Sequence, residues 1–225
     1  MANINSKAWL RTNAWRYSPD VFNSVDYNKR NTIETIDDIN YEYDNYGFRN
    51  PQMQEFYYTH KPIALGCSIT FGIGVDHKDT WHELIERHYN LGQNAGTLET
   101  CYRLLLYWLP KIKPSIVRLL APPMGRREVF EDDRTAIQYV PGGQTFRTPT
   151  MFTSETEIQL NQQRMLNAIM WLCRDIKLIV RTWEQVAELC IDKGADNLHP
   201  GIQSHQAISK IFNELAKKIK NTNFE

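Results

Sequence analysis

From residue 61 onward, the apolar residues follow two patterns, short continuous runs and positions repeated at helical spacing. Short apolar runs predict buried strands over residues 63–66, 115–121 and 177–183. Apolar positions at helical spacing predict helices over residues 79–89, 98–109, 155–173 and 203–220, with Pro110 expected to end the second. Strands that alternate with helices of this length are typical of βαβ crossovers. The sequence therefore predicts an α/β fold with a parallel sheet covered on both faces.

The first 60 residues have a different pattern. They are rich in Asn and Asp, lack a long helical period, and contain seven of the eleven tyrosines: Tyr17, Tyr27, Tyr41, Tyr43, Tyr46, Tyr57 and Tyr58. We interpret residues 1–60 as an extension of irregular chain with short strands, packed on a core domain of residues 61–221. Packing is the favoured role for its aromatic rings, with a sugar or protein contact surface as the alternative. Residues 125–153 are polar, contain Gly and Pro, and are predicted to form a loop.

Composition and charge narrow the classes of partner. The chain has 26 basic and 26 acidic residues and 42% hydrophobic residues, so neither a nucleic acid nor a membrane is expected as partner. No apolar run reaches the roughly 20 residues of a membrane helix, and the amino terminus lacks the apolar region of a secretory signal. No transmembrane segment or signal peptide is therefore expected.

Metal and disulfide frameworks are not indicated either. The four cysteines are far apart without a C-x-x-C pair, which favours free thiols. His77, His82 and His88 are five and six residues apart, a spacing that does not place them on one helical face. We therefore expect neither a metal nor another cofactor.

Three polar features follow predicted strands or precede the last helix. Ser68 lies in a small-residue turn after the first strand, Asn94 and Gly96 lie in a later turn, and Asp196 lies three residues before His199. Ligands of parallel α/β sheets bind beyond the carboxyl ends of the strands. A serine hydroxyl needs an imidazole to take its proton and a carboxylate to orient that imidazole. The pattern therefore predicts these three as nucleophile, orienting acid and base, with the Ser68 and Gly96 amides as oxyanion donors.

Each of these residues also has a structural interpretation. Ser68 could serve only as a small residue that caps a helix. Asp196 could form an Asx turn, and His199 could be a loop histidine before a proline at the start of the last helix.

Two motifs resemble those of the GDSL, or SGNH, hydrolases. Residues 66–72, GCSITFG, are similar to the GDSxTxG block, and residues 196–201, DNLHPG, are similar to the closing DxxHP block. The resemblance covers about residues 61–220, and residues 45–49, NYGFR, are similar to a stretch that precedes the core in some members. It implies a flavodoxin-like three-layer α/β/α sandwich with a mostly parallel five-stranded sheet.

The same resemblance implies a function and an origin. The implied reaction is cleavage of a small acyl or acetyl ester, with a carbohydrate ester among the candidates, through an acyl-enzyme on Ser68 with His199 as base, Asp196 as orienting carboxylate and Gly96 as one oxyanion donor. Short members with such an extension look similar to those of bacteria and bacteriophages, so a cytoplasmic or virion-associated location is expected.

The chain departs from the family pattern at three places. Cys67 replaces the aspartate before the serine, and the glycine block is one residue wider, so Gly92 rivals Gly96 as donor. The GxND block after the second strand is absent, and the stretch APPMGRRE stands at residues 121–128 in its place. Loss of the asparagine donor would remove about 3–4 kcal/mol of transition-state stabilisation, which predicts a slow enzyme.

The departures leave further alternatives open. Arg126 or Arg127 could replace the missing donor or bind an anionic substrate, or both could belong to a solvated basic loop. Trp183 could line the pocket or simply be buried. The competing functions are a non-catalytic or weakly active SGNH-like binding or structural module and, as a third possibility, thiol chemistry at Cys67.

Overall fold

The computed structural model describes residues 15–16, 29–51, 59–132, 135–139 and 154–222. Its strands are β1 (Trp15–Arg16), β2 (Ile33–Ile36), β3 (Ile39–Glu42), β4 (Ile63–Gly66), β5 (Tyr89–Asn90), β6 (Ile116–Ala121), β7 (Arg127–Asp132), β8 (Thr135–Tyr139) and β9 (Lys177–Thr182). Its α-helices are α1 (Ser68–Phe71), α2 (Leu98–Ile112), α3 (Glu155–Leu172), α4 (Trp183–Val186) and α5 (Ile202–Thr222), and two 3-10 helices span His77–Asp79 and Ala187–Leu189.

The central sheet is parallel, with strand order β5-β4-β6-β9. Successive residues of its strands face opposite layers: Leu65 and Leu119 pack with α2 and α3, whereas Ala64 and Leu120 pack with α5. Both faces are thus covered by helices, as the near-continuous apolar strands require. The chain is α/β and compatible with a three-layer arrangement, and the described residues supply four of the five strands that were expected.

The three predicted strands and the three longer predicted helices are confirmed. The prediction that Pro110 ends α2 is wrong, because the helix continues to Ile112. A proline deprives only one carbonyl of its helical partner, here that of Leu106, whose side chain is 42% exposed on the solvent side. The helix then ends at Lys113, which adopts a left-handed conformation with φ 48°.

The predicted helix over residues 79–89 is also wrong. Only isolated turn hydrogen bonds occur there, such as Leu84 N to Thr80 O at 3.1 Å, before the chain enters β5. The apolar positions do not share one face, since Trp81 is fully buried and Leu84 is 39% exposed. The carboxylate of Glu83 accepts from the backbone N–H of His88 at 3.0 Å and stabilises this non-helical path.

The predicted loop over residues 125–153 contains two strands. β7 and β8 pair antiparallel, with Val129 opposite Ile137, and β1 pairs with the other edge of β8. The loop prediction is therefore wrong for the residues of β7 and β8, because each segment finds in the other the hydrogen bonds that neither could form alone. Residues 140–153 lie outside the described residues.

Residues 29–51 pack on the core through aromatic and charged side chains. β2 and β3 form an antiparallel hairpin, as the expectation of short strands requires. Tyr41 and Tyr43 pack against Phe71, and Tyr46 lies edge-on to Trp108 with ring centroids 4.7 Å apart. Packing is thus the role of these three tyrosines. The other four, Tyr17, Tyr27, Tyr57 and Tyr58, lie outside the described residues, and the domain boundary at residue 60 stays a prediction.

Candidate active site

Ser68 begins helix α1 immediately after strand β4. Its residue is 5% exposed, and its Oγ lies 4.0 Å from Cys67 Sγ. The turn into the helix is tight: a Cβ on Gly66 would lie 2.7 Å from the carbonyl oxygen of Leu120 on the neighbouring strand. Only glycine fits there, so the close approach of β4 and β6 fixes Ser68 at the carboxyl end of the sheet. The hydroxyl does not cap the helix, because Cys67 occupies the N-cap position.

Asp196 and His199 form a hydrogen-bonded pair. His199 Nδ1 lies 2.5 Å from Asp196 Oδ2, and the two side chains are 13% and 2% exposed. The other carboxylate oxygen accepts from the backbone N–H groups of Leu198 and His199 at 3.1 and 3.0 Å. The Asx turn and the acid–imidazole pair therefore coexist, each on its own oxygen. Pro200 is not the first residue of the last helix, because α5 starts at Ile202 and Pro200 forms an isolated β-bridge with Lys193.

The pKa of Asp196 follows from this arrangement. Burial alone would raise the pKa of the carboxyl group. The hydrogen bond from His199, the electrostatic interaction with that ring and the two backbone N–H groups outweigh burial, so the pKa of Asp196 is lowered. Asp196 is therefore ionised at neutral pH and holds the proton of His199 on Nδ1. The Nε2 atom of the ring is then the one able to act as a base.

The loop that carries this pair packs against the turn that follows Ser68. Ala195 N donates to Gly74 O at 2.8 Å, and a Cβ on Gly74 would lie 2.9 Å from Asp196 Oδ1. Gly74 is six residues beyond Ser68, whose carbonyl accepts from Ile73 N at 3.1 Å. The structure thus brings the two motifs from opposite ends of the chain into contact. Ser68 and His199 are not hydrogen-bonded to each other in the described chain.

Comparisons with known proteins give no family for this chain. No protein-family model matches it. No curated protein matches it either.

The glycine turn places two amides differently from expectation. Gly96 N donates to Gln93 O at 3.0 Å, and Gly92 N donates to Asn90 Oδ1 at 2.8 Å, so both predicted donors already have acceptors. The backbone N–H of Ala95 has no acceptor among the described residues, and Ala95 is left-handed with φ 56°. Gly96 lies against the end of β4, two residues before Ser68, since a Cβ on it would be 3.0 Å from Gly66 O. Ala95 is a donor candidate that the sequence did not indicate.

The remaining predicted binding residues separate into different environments. Asn94 is buried at 6% exposure in the glycine turn. Arg127 Nε pairs with Glu99 at 2.6 Å, whereas Arg126 lines a small crevice beside Leu98. Trp183 is half-buried and packs on the layer formed by α5. Trp183 is only partly buried, so its place in a pocket stays a prediction, and of the two arginines Arg126 is the one without an ion pair among the described residues.

The loop in place of the GxND block is anchored by a buried ion pair. Glu128 accepts from Arg103 Nε at 2.8 Å, from Arg103 Nη2 at 3.0 Å and from Thr100 Oγ1 at 2.7 Å. The two charged side chains are 4% and 1% exposed. Because this pair joins the loop to α2, it fixes where residues 122–127 lie above the sheet. The ion pair between Arg103 and Glu128 was not predicted, since nothing in the spacing of these residues distinguishes a buried pair from surface charges.

Arg49 holds the turn that follows Ser68. Its guanidinium is fully buried and donates to the carbonyls of Asn40 at 3.2 Å, Phe71 at 3.3 Å, Val75 at 2.9 Å and, through a very short bond, Gly72. Burial lowers the pKa of Arg49 to about 10, so it is charged at neutral pH. Gly74, which contacts the loop of Asp196, lies between two of the residues whose carbonyls Arg49 binds, Gly72 and Val75. In the sequence, Arg49 is visible only as part of the stretch NYGFR.

Tyr41 completes this contact. Its hydroxyl accepts from Gly74 N at 2.9 Å, and its ring lies 4.3 Å from the guanidinium of Arg49. The hairpin β2–β3 therefore supports the Ser68 turn directly.

The histidines form a buried group beside this site. His82 and His88 have ring centroids 5.7 Å apart, as do His77 and His82, and Glu83 lies 3.6 Å from nitrogens of His77 and His82. Within the described ranges, no set of three or more His, Cys, Asp or Glu is arranged to hold a metal ion. His88 accepts from Arg118, and His205 Nδ1 accepts from Trp81 N at 3.0 Å, as neutral rings do. These contacts give the histidines a packing role.

Among the described residues, no helix is long and apolar enough to cross a bilayer.

Proposed function

We propose that this protein is a serine ester hydrolase of the SGNH type. Ser68 is the nucleophile, His199 the general base and Asp196 the residue that orients it. The observation that carries the proposal is the 2.5 Å hydrogen bond between Asp196 and His199, in a loop that packs on the turn after Ser68. The parallel sheet covered on both faces is compatible with the three-layer fold of that family, whose fifth strand is part of the proposal.

The reaction follows from the roles of these groups. His199 Nε2 takes the Ser68 proton as Oγ attacks the ester carbonyl, and the imidazolium formed is stabilised by Asp196. Collapse of the tetrahedral intermediate breaks the ester bond, and the imidazolium gives its proton to the leaving alcohol. His199 Nε2 then takes a proton from water as the water oxygen attacks the acyl carbonyl, and collapse of this second intermediate breaks the bond to Ser68 Oγ, returns the proton to Oγ and releases the acid. For this, Ser68 Oγ and His199 Nε2 must approach within about 3 Å when substrate binds.

Stabilisation of the oxyanion is the weak part of the site. The N–H of Ser68 at the start of α1 and the N–H of Ala95 have no acceptor among the described residues, and they are the oxyanion donors in this proposal. The residue after β6 that would supply an asparagine donor is absent from the sequence. A missing donor lowers kcat by roughly 10²–10³-fold, so we expect slow turnover on small acyl or acetyl esters.

An activity-based probe tests this proposal. A fluorophosphonate should label the wild-type protein on Ser68, and Ser68→Ala should abolish labelling while Cys67→Ala retains it. The second variant is the matched control, because its side chain lies next to Ser68 and is equally buried. Labelling that persists in Ser68→Ala, or that is absent from correctly folded wild-type protein, would refute the proposal.

A non-catalytic module with the same fold is the competing proposal. It is favoured by the amides of Gly92 and Gly96, both of which already have acceptors. Under this alternative, acetylated carbohydrates would bind with equal affinity to wild-type protein and Ser68→Ala, with no hydrolysis of p-nitrophenyl acetate. Measurable hydrolysis that Ser68→Ala removes would exclude it.

A further inference from the structure

Arg126 lies in the loop that leaves the sheet beside Ser68. In the register of β4 and β6, Gly66 lies opposite Leu120, so the turn containing Ser68 and the loop starting at Pro122 leave neighbouring strands at the same level. Gly125, with φ 82°, then turns the chain toward β7. Arg126 is consequently displayed at the same edge of the sheet as the proposed nucleophile.

Arg126 is half-buried, and part of its guanidinium is shielded from water. Its Nε and Nη1 atoms are buried and have no hydrogen-bond partner, and no ion pair to Arg126 occurs among the described residues. The adjacent Arg127 instead pairs with Glu99 at 2.6 Å. Buried donor atoms in proteins are normally hydrogen-bonded, because leaving water without compensation is costly. An anionic group supplied from outside the chain would compensate this guanidinium.

The crevice beside Arg126 indicates the size of that group. It is lined by Leu98, residues 122–127, Ile158, Asn161 and Gln162, and its volume is about 10 Å³. That is room for one water-sized group, such as a single oxygen of a carboxylate, and not for a whole ligand. A guanidinium fork matches both carboxylates and phosphates, and the small volume favours the smaller, flat carboxylate.

We propose that Arg126 binds a carboxylate carried by the substrate, so that the ester hydrolysed at Ser68 is that of a carboxylate-bearing acyl group or alcohol. This inference rests on the proposed serine hydrolase function and adds the substrate class. Arg126 determines specificity and takes no part in bond making or breaking.

A pair of esters of equal length tests the substrate class. The value of kcat/KM is measured for mono-p-nitrophenyl adipate, which carries a carboxylate, and for neutral p-nitrophenyl hexanoate. Wild-type protein should prefer the adipate ester. Arg126→Gln should lower kcat/KM for the adipate ester by about 10- to 100-fold, the usual effect of a hydrogen bond to a charged group, and leave the hexanoate ester unchanged. Arg164→Gln, at an exposed ion pair with Glu157, is the control and should change neither value.

A binding measurement separates failure of this inference from failure of the proposed function. Monomethyl adipate is titrated calorimetrically into Ser68→Ala, with and without Arg126→Gln, and methyl hexanoate serves as the neutral ligand. Binding of the adipate that requires Arg126 supports the carboxylate site even if no ester is hydrolysed. Equal binding in both proteins, or hydrolysis of both esters without discrimination, would overturn the inference while leaving the hydrolase proposal intact.

Discussion

Replacement of Arg49 by methionine should strongly destabilise the protein. The substitution keeps an unbranched side chain in the buried position and removes every N–H donor. The carbonyls of Asn40, Phe71, Gly72 and Val75 then lose this donor. Asn40 is exposed and Gly72 O still accepts from Val75 N at 3.4 Å, so the buried carbonyls of Phe71 and Val75 are the ones left unsatisfied. Each unsatisfied acceptor costs about 1–3 kcal/mol, while removal of the buried charge recovers part of that loss. We expect the free energy of unfolding to fall by about 2–4 kcal/mol.

Urea denaturation measures this change, with two variants for comparison. Arg49→Lys keeps the charge, but its ammonium group cannot serve four separated carbonyls, so an intermediate loss is expected. Arg174→Met removes an exposed arginine that donates to Trp171 O at 3.2 Å, and should lose less than about 0.5 kcal/mol. A loss below about 1 kcal/mol in Arg49→Met, similar to that of Arg174→Met, would refute the reasoning that Arg49 holds the Ser68 turn.

Three further predictions concern acid stability, the buried ion pair and the proposed base. Burial lowers the pKa of His88 and His205 from 6.5 to about 3, so between these values the unfolded chain binds protons that the folded chain does not. The free energy of unfolding, measured by urea denaturation, should therefore fall by about 1.4 kcal/mol for each ring with every unit that the pH is lowered below 6.5. Glu128→Gln should lower the free energy of unfolding by about 3–5 kcal/mol, because it leaves Arg103 buried without its counter-charge. Asp196→Asn should lower kcat for p-nitrophenyl acetate by about 10²–10⁴-fold, because the imidazole loses its tautomer and orientation.

Matched variants make these three predictions specific. His205→Gln should remove about half of the acid dependence expected from the two rings, whereas exposed His60→Gln should not. Exposed Glu157→Gln should leave stability nearly unchanged. A flat stability profile between pH 6.5 and pH 4, equal losses in the two glutamate variants, or an unchanged kcat in Asp196→Asn would each contradict the corresponding prediction.

The sheet and the long helices were predictable because their signal is local. The strand β6 is an apolar run interrupted only by Arg118, and α5 has an apolar stripe at helical spacing. The segment 79–89 has similar spacing, but Trp81 is drawn into the layer of α5, where its ring stacks on Phe212 at 4.4 Å. Tertiary packing thus outweighed a weak local preference for helix.

In the candidate site, too, only the contacts between residues close in sequence were predictable. The pair Asp196–His199 spans three residues, so its chemistry is visible in the sequence. Three of the four carbonyls that Arg49 binds belong to residues 22 to 26 positions away, and Glu128 pairs with a residue 25 positions away. Such partners are set by the packing of distant segments and leave no pattern in the sequence. The acceptors of the Gly92 and Gly96 amides depend likewise on the backbone path of the turn.

Direct detection of an acyl-enzyme is the measurement that tests the central claim most closely. The protein is mixed with p-nitrophenyl acetate, quenched in acid within the first turnover, and analysed by intact and peptide mass spectrometry. We predict one acetyl group on Ser68, absent from Ser68→Ala and accumulating more slowly in Asp196→Asn. An acetyl group on Cys67, or hydrolysis that proceeds undiminished in Ser68→Ala, would contradict it.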